Sequence, residues 1–257
     1  MAPPVLRAVL LGASNLARSF PRILSLVRQR AGGPVEVLGA FGRGRSYGEW
    51  SRLLGVRHLP GIVGSGLWRE IATRAGQEPL PTVALLTDLG NDLAYGQSVA
   101  RIVPWVEACL ARLVEARAAT VVTLLPLATL EGVPPWRFHL ARTVLFPGRP
   151  MDRRDLLARA RELNGEIRRL ARQAGAEVVE PELSWYGLDP IHIRSKVAGG
   201  VWREILGRWP GGGGGGKARR VMGLQLLRAE ELRLWRFTVR TVQPCKRLPD
   251  GTTVALY

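Results

Sequence analysis

Four short blocks in this 257-residue chain combine residue types that serve acyl transfer. Gly12-Ala13-Ser14-Asn15 offers a hydroxyl that a neighbouring base can turn into a nucleophile. Asp189-Pro190-Ile191-His192 offers such a base, an imidazole with a carboxylate three residues before it to fix its tautomer. Gly42-Arg43-Gly44 can turn backbone N–H groups towards a ligand without a Cβ in the way. Gly90-Asn91-Asp92 adds a side-chain amide, a second donor type for charge developing on an oxygen. Taken singly, each block has a plainer reading: a turn after a strand, an Asx turn, a histidine that packs or caps. Taken together they supply a nucleophile, an oriented base and oxyanion donors in consistent order, each after an expected strand.

Such blocks need a scaffold that brings distant loops to one edge. Short apolar runs at 5–11, 35–41, 82–87, 119–125 and 176–179 read as strands, and amphipathic stretches between them read as crossover helices. In the first helix Ser19 is the candidate cap and Pro21 falls in the first turn. Further helices are expected around 67–75, along the apolar face of Val99, Ile102, Val106, Leu110 and Leu113, over 156–170 and over 195–208. Pro104 marks a kink or late start in the second of these. The stretch between the second strand and residue 67 reads as irregular. The pattern predicts a three-layer α/β/α sandwich around a five-stranded parallel sheet, whose carboxyl edge is where ligands bind in such folds. The segment 131–150, with Trp136, Phe138 and Phe146, reads as core packing, with a pocket wall or lid as the alternative.

On these blocks the chain resembles the SGNH hydrolases, the GDSL esterase and lipase superfamily, over residues 5–208. The resemblance implies a flavodoxin-like sandwich and a serine-dependent ester hydrolase working through an acyl-enzyme. It assigns Ser14 as nucleophile and Asp189 and His192 as the remaining triad members. The Ser14 and Gly44 N–H groups and the Asn91 side chain would form the oxyanion hole, with Gly42 and Gly48 as competing registers for Gly44. The sequence departs from the family pattern at Ala13, where many members carry Asp, and in a third block one residue shorter than Gly-x-Asn-Asp. An alcohol acceptor would make the same site an acyltransferase, and loss of chemistry would leave a binding protein. A third reading, a nucleotide-phosphate loop at residues 12–15, lacks both Gly-x-Gly-x-x-Gly and a P-loop lysine.

Six glycines at 211–216 read as a flexible tether. They divide an SGNH-like hydrolase domain, 1–210, from a basic C-terminal extension, 217–257. That extension carries nine basic and three acidic residues, β-like runs at 232–242 and 252–256, and a turn at Pro249-Asp250-Gly251. It reads as a segment of little independent stability, or alternatively as a basic β module for an anionic partner.

Composition narrows the classes. An apolar content of 46% with eight tryptophans excludes disordered, collagen-like and coiled-coil chains. The net charge of +16 would ordinarily suggest nucleic acid, but only three of the 37 basic residues are lysines and the arginines are spread along helices. Coding bias accounts for such an excess, so no nucleic-acid partner is expected. No apolar run approaches the roughly 20 residues of a membrane span, and Arg7 interrupts the opening hydrophobic stretch. Cys109 and Cys245 form neither a metal spacing nor a disulfide framework, so no metal or cofactor is expected and the cytoplasm is the default compartment. A small-molecule ester is the expected partner, and no spacing fixes an oligomeric state. His58 and His139 have no acidic neighbour in sequence and read as surface or packing residues.

Overall fold

The computed structural model describes residues 2–53, 57–75, 80–132, 134, 152–211, 227–234 and 237–257. In chain order its strands are β1 (Leu6–Gly12), β2 (Val35–Phe41), β3 (Ser51–Leu53), β4 (Arg57–Leu59), β5 (Thr82–Leu86), β6 (Ala119–Thr123) and β7 (Glu177–Val179). Four more follow near the C-terminus: β8 (Glu231–Leu234), β9 (Phe237–Arg240), β10 (Lys246–Arg247) and β11 (Thr253–Leu256). The α-helices are α1 (Ser14–Ala31), α2 (Leu67–Ala75), α3 (Asn91–Ala94), α4 (Val99–Glu115), α5 (Leu127–Gly132), α6 (Arg153–Gln173) and α7 (Ala198–Gly207).

Side chains alternate across β1 between two cores. Ala8 and Leu10 pack with α1 and α7, while Val9 and Leu11 pack with α2, α4 and α6. A strand buried on both faces has no place for polar alternation, which is why β1, β2, β5 and β6 read as continuous apolar runs. The expected three-layer α/β/α arrangement results.

The sheet has seven strands rather than the expected five, in the order β10-β11-β2-β1-β5-β6-β7. All neighbours are parallel except the edge pair β10 and β11. The added parallel strand comes from the C-terminal segment. Its Val254 and Leu256 enter one core, and Ala255 with the following Tyr257 enters the other. Apolarity on both faces places this segment inside the sandwich. Much of the expected glycine tether lies outside the described residues.

A second sheet, β3-β4-β8-β9, is antiparallel and occupies part of the stretch read as irregular. Strands of three or four residues carry too little periodicity to be recognised before their partner, β8, arrives from more than 170 positions later. The first helix also starts earlier than Ser19, which is buried within α1. Its leading N–H groups are met by a side chain from a distant loop, described below, so no local cap is needed. Pro104 lies inside α4 and does not delay its start. Among the described residues no helix is long and apolar enough to cross a membrane.

Register sets the site. Gly12 pairs with Phe41, and Leu11 with Leu86, so β1, β2 and β5 end level with one another. The loops that follow them therefore leave the sheet at the same edge.

Candidate active site

Ser14 begins α1 directly after β1. A Cβ on Gly12 would stand 2.7 Å from the Thr87 methyl, so glycine lets the end of β1 pass close to the end of β5. The serine hydroxyl is 2.9 Å from Nε2 of His192, a residue 178 positions later. His192 Nδ1 is 2.6 Å from Asp189 Oδ2. The three residues assigned from sequence as nucleophile, base and orienting acid are thus in one hydrogen-bonded line.

The aspartate also organises its own loop. Its other oxygen accepts the N–H groups of Ile191 at 3.1 Å and His192 at 3.2 Å, the local pattern that a carboxylate two or three residues upstream favours. Burial pushes the Asp189 carboxyl up, but the His192 hydrogen bond and charge and these two N–H groups outweigh it, holding it below the usual carboxylate range. It is ionised at neutral pH. The imidazole is more enclosed than its partner, with 14% of the His192 side chain exposed against 49% for Asp189.

Asp88, not singled out from sequence, ties the first and third blocks together. Its carboxylate accepts the N–H groups of Ala13 at 2.8 Å and Asn15 at 3.0 Å, and the Asn15 side chain at 2.7 Å. This is a helix cap supplied in space rather than in sequence, and negative charge there suits the N-terminal end of the α1 dipole. Asp88 has φ of 60°, a region that Asp tolerates better than most residues. A carboxylate two residues beyond a strand end was the available signal. The same geometry speaks against the nucleotide-loop reading, because the Ala13 and Asn15 N–H groups that a phosphate would share are already bonded to a carboxylate.

The second block forms a tight turn. Arg45 N–H donates to the Gly42 carbonyl at 3.1 Å, and Gly44, the third residue of that turn, has φ of 67°. Glycine adopts that conformation without steric cost. Tyr95 donates its hydroxyl hydrogen to the Gly44 carbonyl at 2.7 Å. Downstream, the buried Asp92 accepts from the Ser46 hydroxyl and from Tyr47 N–H at 2.9 Å, so the third block anchors the second. Burial pushes Asp92 up to about 6 despite these bonds. Of the competing glycines, Gly48 donates its N–H to the Ser46 hydroxyl at 3.1 Å, which takes that register out of contention.

Asn91 opens α3 and lines the same cavity as Ser14. Its amide reaches the Arg45 carbonyl only at 3.4 Å, a weak bond. The cavity has a volume of about 140 Å³ and walls that include Leu93, Leu125, Leu130, Leu156, Trp185 and Ile205. A space of that order holds a group the size of benzene. Gly44 is not part of its lining.

The arginines beside the blocks have separated roles. Arg45 is buried and donates to the Pro60 carbonyl at 3.1 Å and to the main-chain oxygen of Tyr257. Arg194 donates to the Ser184 carbonyl. His58 stands on β4, opposite Arg233 of β8, and takes no part in the hydrogen-bonded line of Ser14, His192 and Asp189. His139, Trp136, Phe138 and Phe146 lie outside the described residues. Among the described residues no group of three or more His, Cys, Asp or Glu side chains converges as a metal site.

No protein-family model matches the chain, and neither does any curated protein sequence. Solved structures similar to it include a psychrotrophic esterase from Pseudoalteromonas sp., inhibited by monoethylphosphonate, at 14% identity and TM-score 0.47, covering 78% of this chain and 93% of that one. A GDSL-like lipase from Bacteroides thetaiotaomicron is similar at 14% identity and TM-score 0.48, covering 81% and 90%. A carbohydrate acetylesterase from Sinorhizobium meliloti is similar at 14% identity and TM-score 0.48, covering 79% and 97%.

Proposed function

We propose that the chain is a serine-dependent hydrolase that cleaves a carboxylic ester through an acyl-enzyme. The observation that carries this reading is the line from Ser14 Oγ to His192 Nε2 at 2.9 Å and from His192 Nδ1 to Asp189 at 2.6 Å, opening on an apolar cavity. The motif resemblance to SGNH hydrolases supports the same assignment.

Neutral His192 takes the Ser14 proton as Oγ bonds to the ester carbonyl carbon, and the carbonyl π electrons move onto oxygen. Ionised Asp189 holds the Nδ1–H tautomer and stabilises the imidazolium without itself taking the proton. The oxyanion meets the Ser14 and Gly44 N–H groups and the Asn91 amide, donors of a kind worth about 3 kcal/mol each in the transition state. The carbon–oxygen bond to the alcohol then breaks, and the leaving oxygen receives the proton from His192. Water, deprotonated by the same imidazole, attacks the acyl-serine; the acid departs and Ser14 recovers its proton. The acyl group occupies the apolar cavity. Its volume fits a short acid, about the length of a butyrate or hexanoate chain, better than a long fatty acyl group.

The test is turnover of 4-nitrophenyl butyrate together with covalent labelling by a fluorophosphonate, in wild type and Ser14→Ala. The reading expects label on Ser14 and a loss of about 10⁴-fold or more in kcat for the variant at unchanged melting temperature. A folded wild-type protein that neither labels nor turns over would overturn it.

A further inference from the structure

On the other side of Asn15 from the apolar cavity lies a second one, of about 210 Å³, with opposite chemistry. Arg18, Ser19 and Arg22 of α1, Arg43 of the second-block turn and Ser195 before α7 line it, and Asn15 and Ile193 close it next to Ser14 and His192. Three arginines and two serines line this space, and no Asp or Glu does. Arg18, Arg22 and Arg43 are exposed and, among the described residues, have no ion pair or hydrogen bond that would hold them elsewhere, as is also true of Arg154, Arg172 and Arg203.

The placement runs against helix stability. Asn15, Arg18, Ser19 and Arg22 share one face of α1 by their spacing of three and four residues, so two like charges are neighbours. Arg18 stands one turn into α1 and Arg22 two turns in, and the first turn of α1 holds no acidic residue that could pair with Arg18 along the helix. A like-charged pair at this spacing, beside a reactive serine, is where a functional demand overrides a local rule. Guanidinium groups converging from separate elements on a polar space suit a phosphate or carboxylate, which they bind through paired N–H donors.

We infer that this cavity is an anion subsite for the alcohol portion of the substrate, so that the preferred esters join a short apolar acyl group to an alcohol carrying phosphate or carboxylate. This rests on the ester-hydrolysis reading for its chemistry. The two cavities share Asn15 as a wall, so an ester whose carbonyl sits at Ser14 directs its acyl chain into one and its leaving group into the other.

The test compares three butyrate esters on the full chain: of glycerol 3-phosphate, of glycerate and of glycerol. At low ionic strength, kcat/KM for at least one anionic ester exceeds that for the neutral ester by about tenfold or more, and the excess shrinks with added salt. The phosphate and glycerate arms identify which anion is preferred. In the double variant Arg18→Gln, Arg22→Gln the anionic-to-neutral ratio falls to about one, through KM. A wild-type ratio near one, or a ratio the double variant leaves intact, overturns the subsite while Ser14 labelling still supports hydrolysis. If wild type turns over none of the esters and does not label, the hydrolysis reading fails. Calorimetric titration with glycerol 3-phosphate then decides the cavity alone: binding lost in the double variant upholds an anion site, and absence of binding in wild type overturns it.

Discussion

The side-chain amide of Asn15 grips the peptide groups on both sides of His192. Nδ2 donates to the Ile191 carbonyl at 2.8 Å, and Oδ1 accepts the Ile193 N–H at 2.9 Å. Because Asn15 follows Ser14 in sequence, one residue fixes the imidazole relative to the hydroxyl, and Asp88 in turn fixes Asn15.

Asn15→Ala is therefore expected to act on geometry rather than on chemistry. Small misplacements of reacting groups cost about 10²-fold in rate, so kcat should fall by about that factor while KM for a neutral ester moves little. Losing these hydrogen bonds also lowers the melting temperature, by several degrees at about 1–3 kcal/mol per unsatisfied group. Steady-state kinetics with a melting curve check this. A variant as active as wild type would show that His192 needs no such clamp.

The elevated Asp92 carboxyl makes a statement about stability. Its ordinary value is 3.8, and burial raises it to about 6 in the folded chain. Between these values the folded chain keeps a proton that the unfolded chain has lost. The stability contributed is fully present below about pH 4 and disappears as pH rises through 6; a shift of about two units corresponds to about 3 kcal/mol. Carboxyls held low, such as Asp189, slope the other way but are common to wild type and Asp92→Asn. Urea unfolding at pH 4 and pH 7 should therefore show wild type losing about 2 kcal/mol more than the variant over that interval, the remainder falling below pH 4. Parallel losses would contradict the assignment.

What the sequence made legible was local or additive. Four of the five expected parallel strands, β1, β2, β5 and β6, announce themselves because they are buried on both faces and mostly apolar, and Asp189 and His192 lie within one turn, so their pairing follows from spacing. Ser14 and His192 could be paired only by chemical role, since 178 positions separate them. The links that hold the site were not legible, because each joins residues whose types are common and whose separation is arbitrary: Asp88 with Ala13, Asp92 with Ser46, Arg45 with Tyr257. The last strand, read as a β-like run at 252–256, is present as β11, but its place in the fold was not legible for a related reason. The residues Val254 to Tyr257 are as apolar as a core strand, but the glycines before them suggested a detached segment, and only pairing with β2 reveals where the run belongs.

That pairing predicts that the C-terminal segment cannot be removed. Val254, Leu256 and Tyr257 are buried, and burying such side chains is worth about 1.5–3 kcal/mol each, against a total stability of about 5–15 kcal/mol. A chain ending at Pro210 should fail to fold, and Leu256→Ala should cost about 2–5 kcal/mol in urea unfolding. Arg45, beside the Gly44 turn, would lose its Tyr257 partner in the shortened chain. A truncated protein with a cooperative transition near that of wild type would refute this.

Asn91 separates a donor to the transition state from a residue that merely lines the cavity. Its amide bonds the Arg45 carbonyl only weakly, so removing it leaves no buried partner strongly unsatisfied, and Asn91→Ala should melt close to wild type. Loss of one oxyanion donor costs about 10²–10³-fold in kcat, with little change in KM, because the ground-state carbonyl uses the donor less than the oxyanion does. Asn91→Asp should be worse, since it sets a negative charge where negative charge develops. Fluorophosphonate labelling of Ser14 should slow in step with turnover, as the phosphoryl oxygen carries comparable charge during attack. A kcat for Asn91→Ala within a few-fold of wild type would remove Asn91 from the hole and leave the Ser14 and Gly44 N–H groups to stabilise the oxyanion.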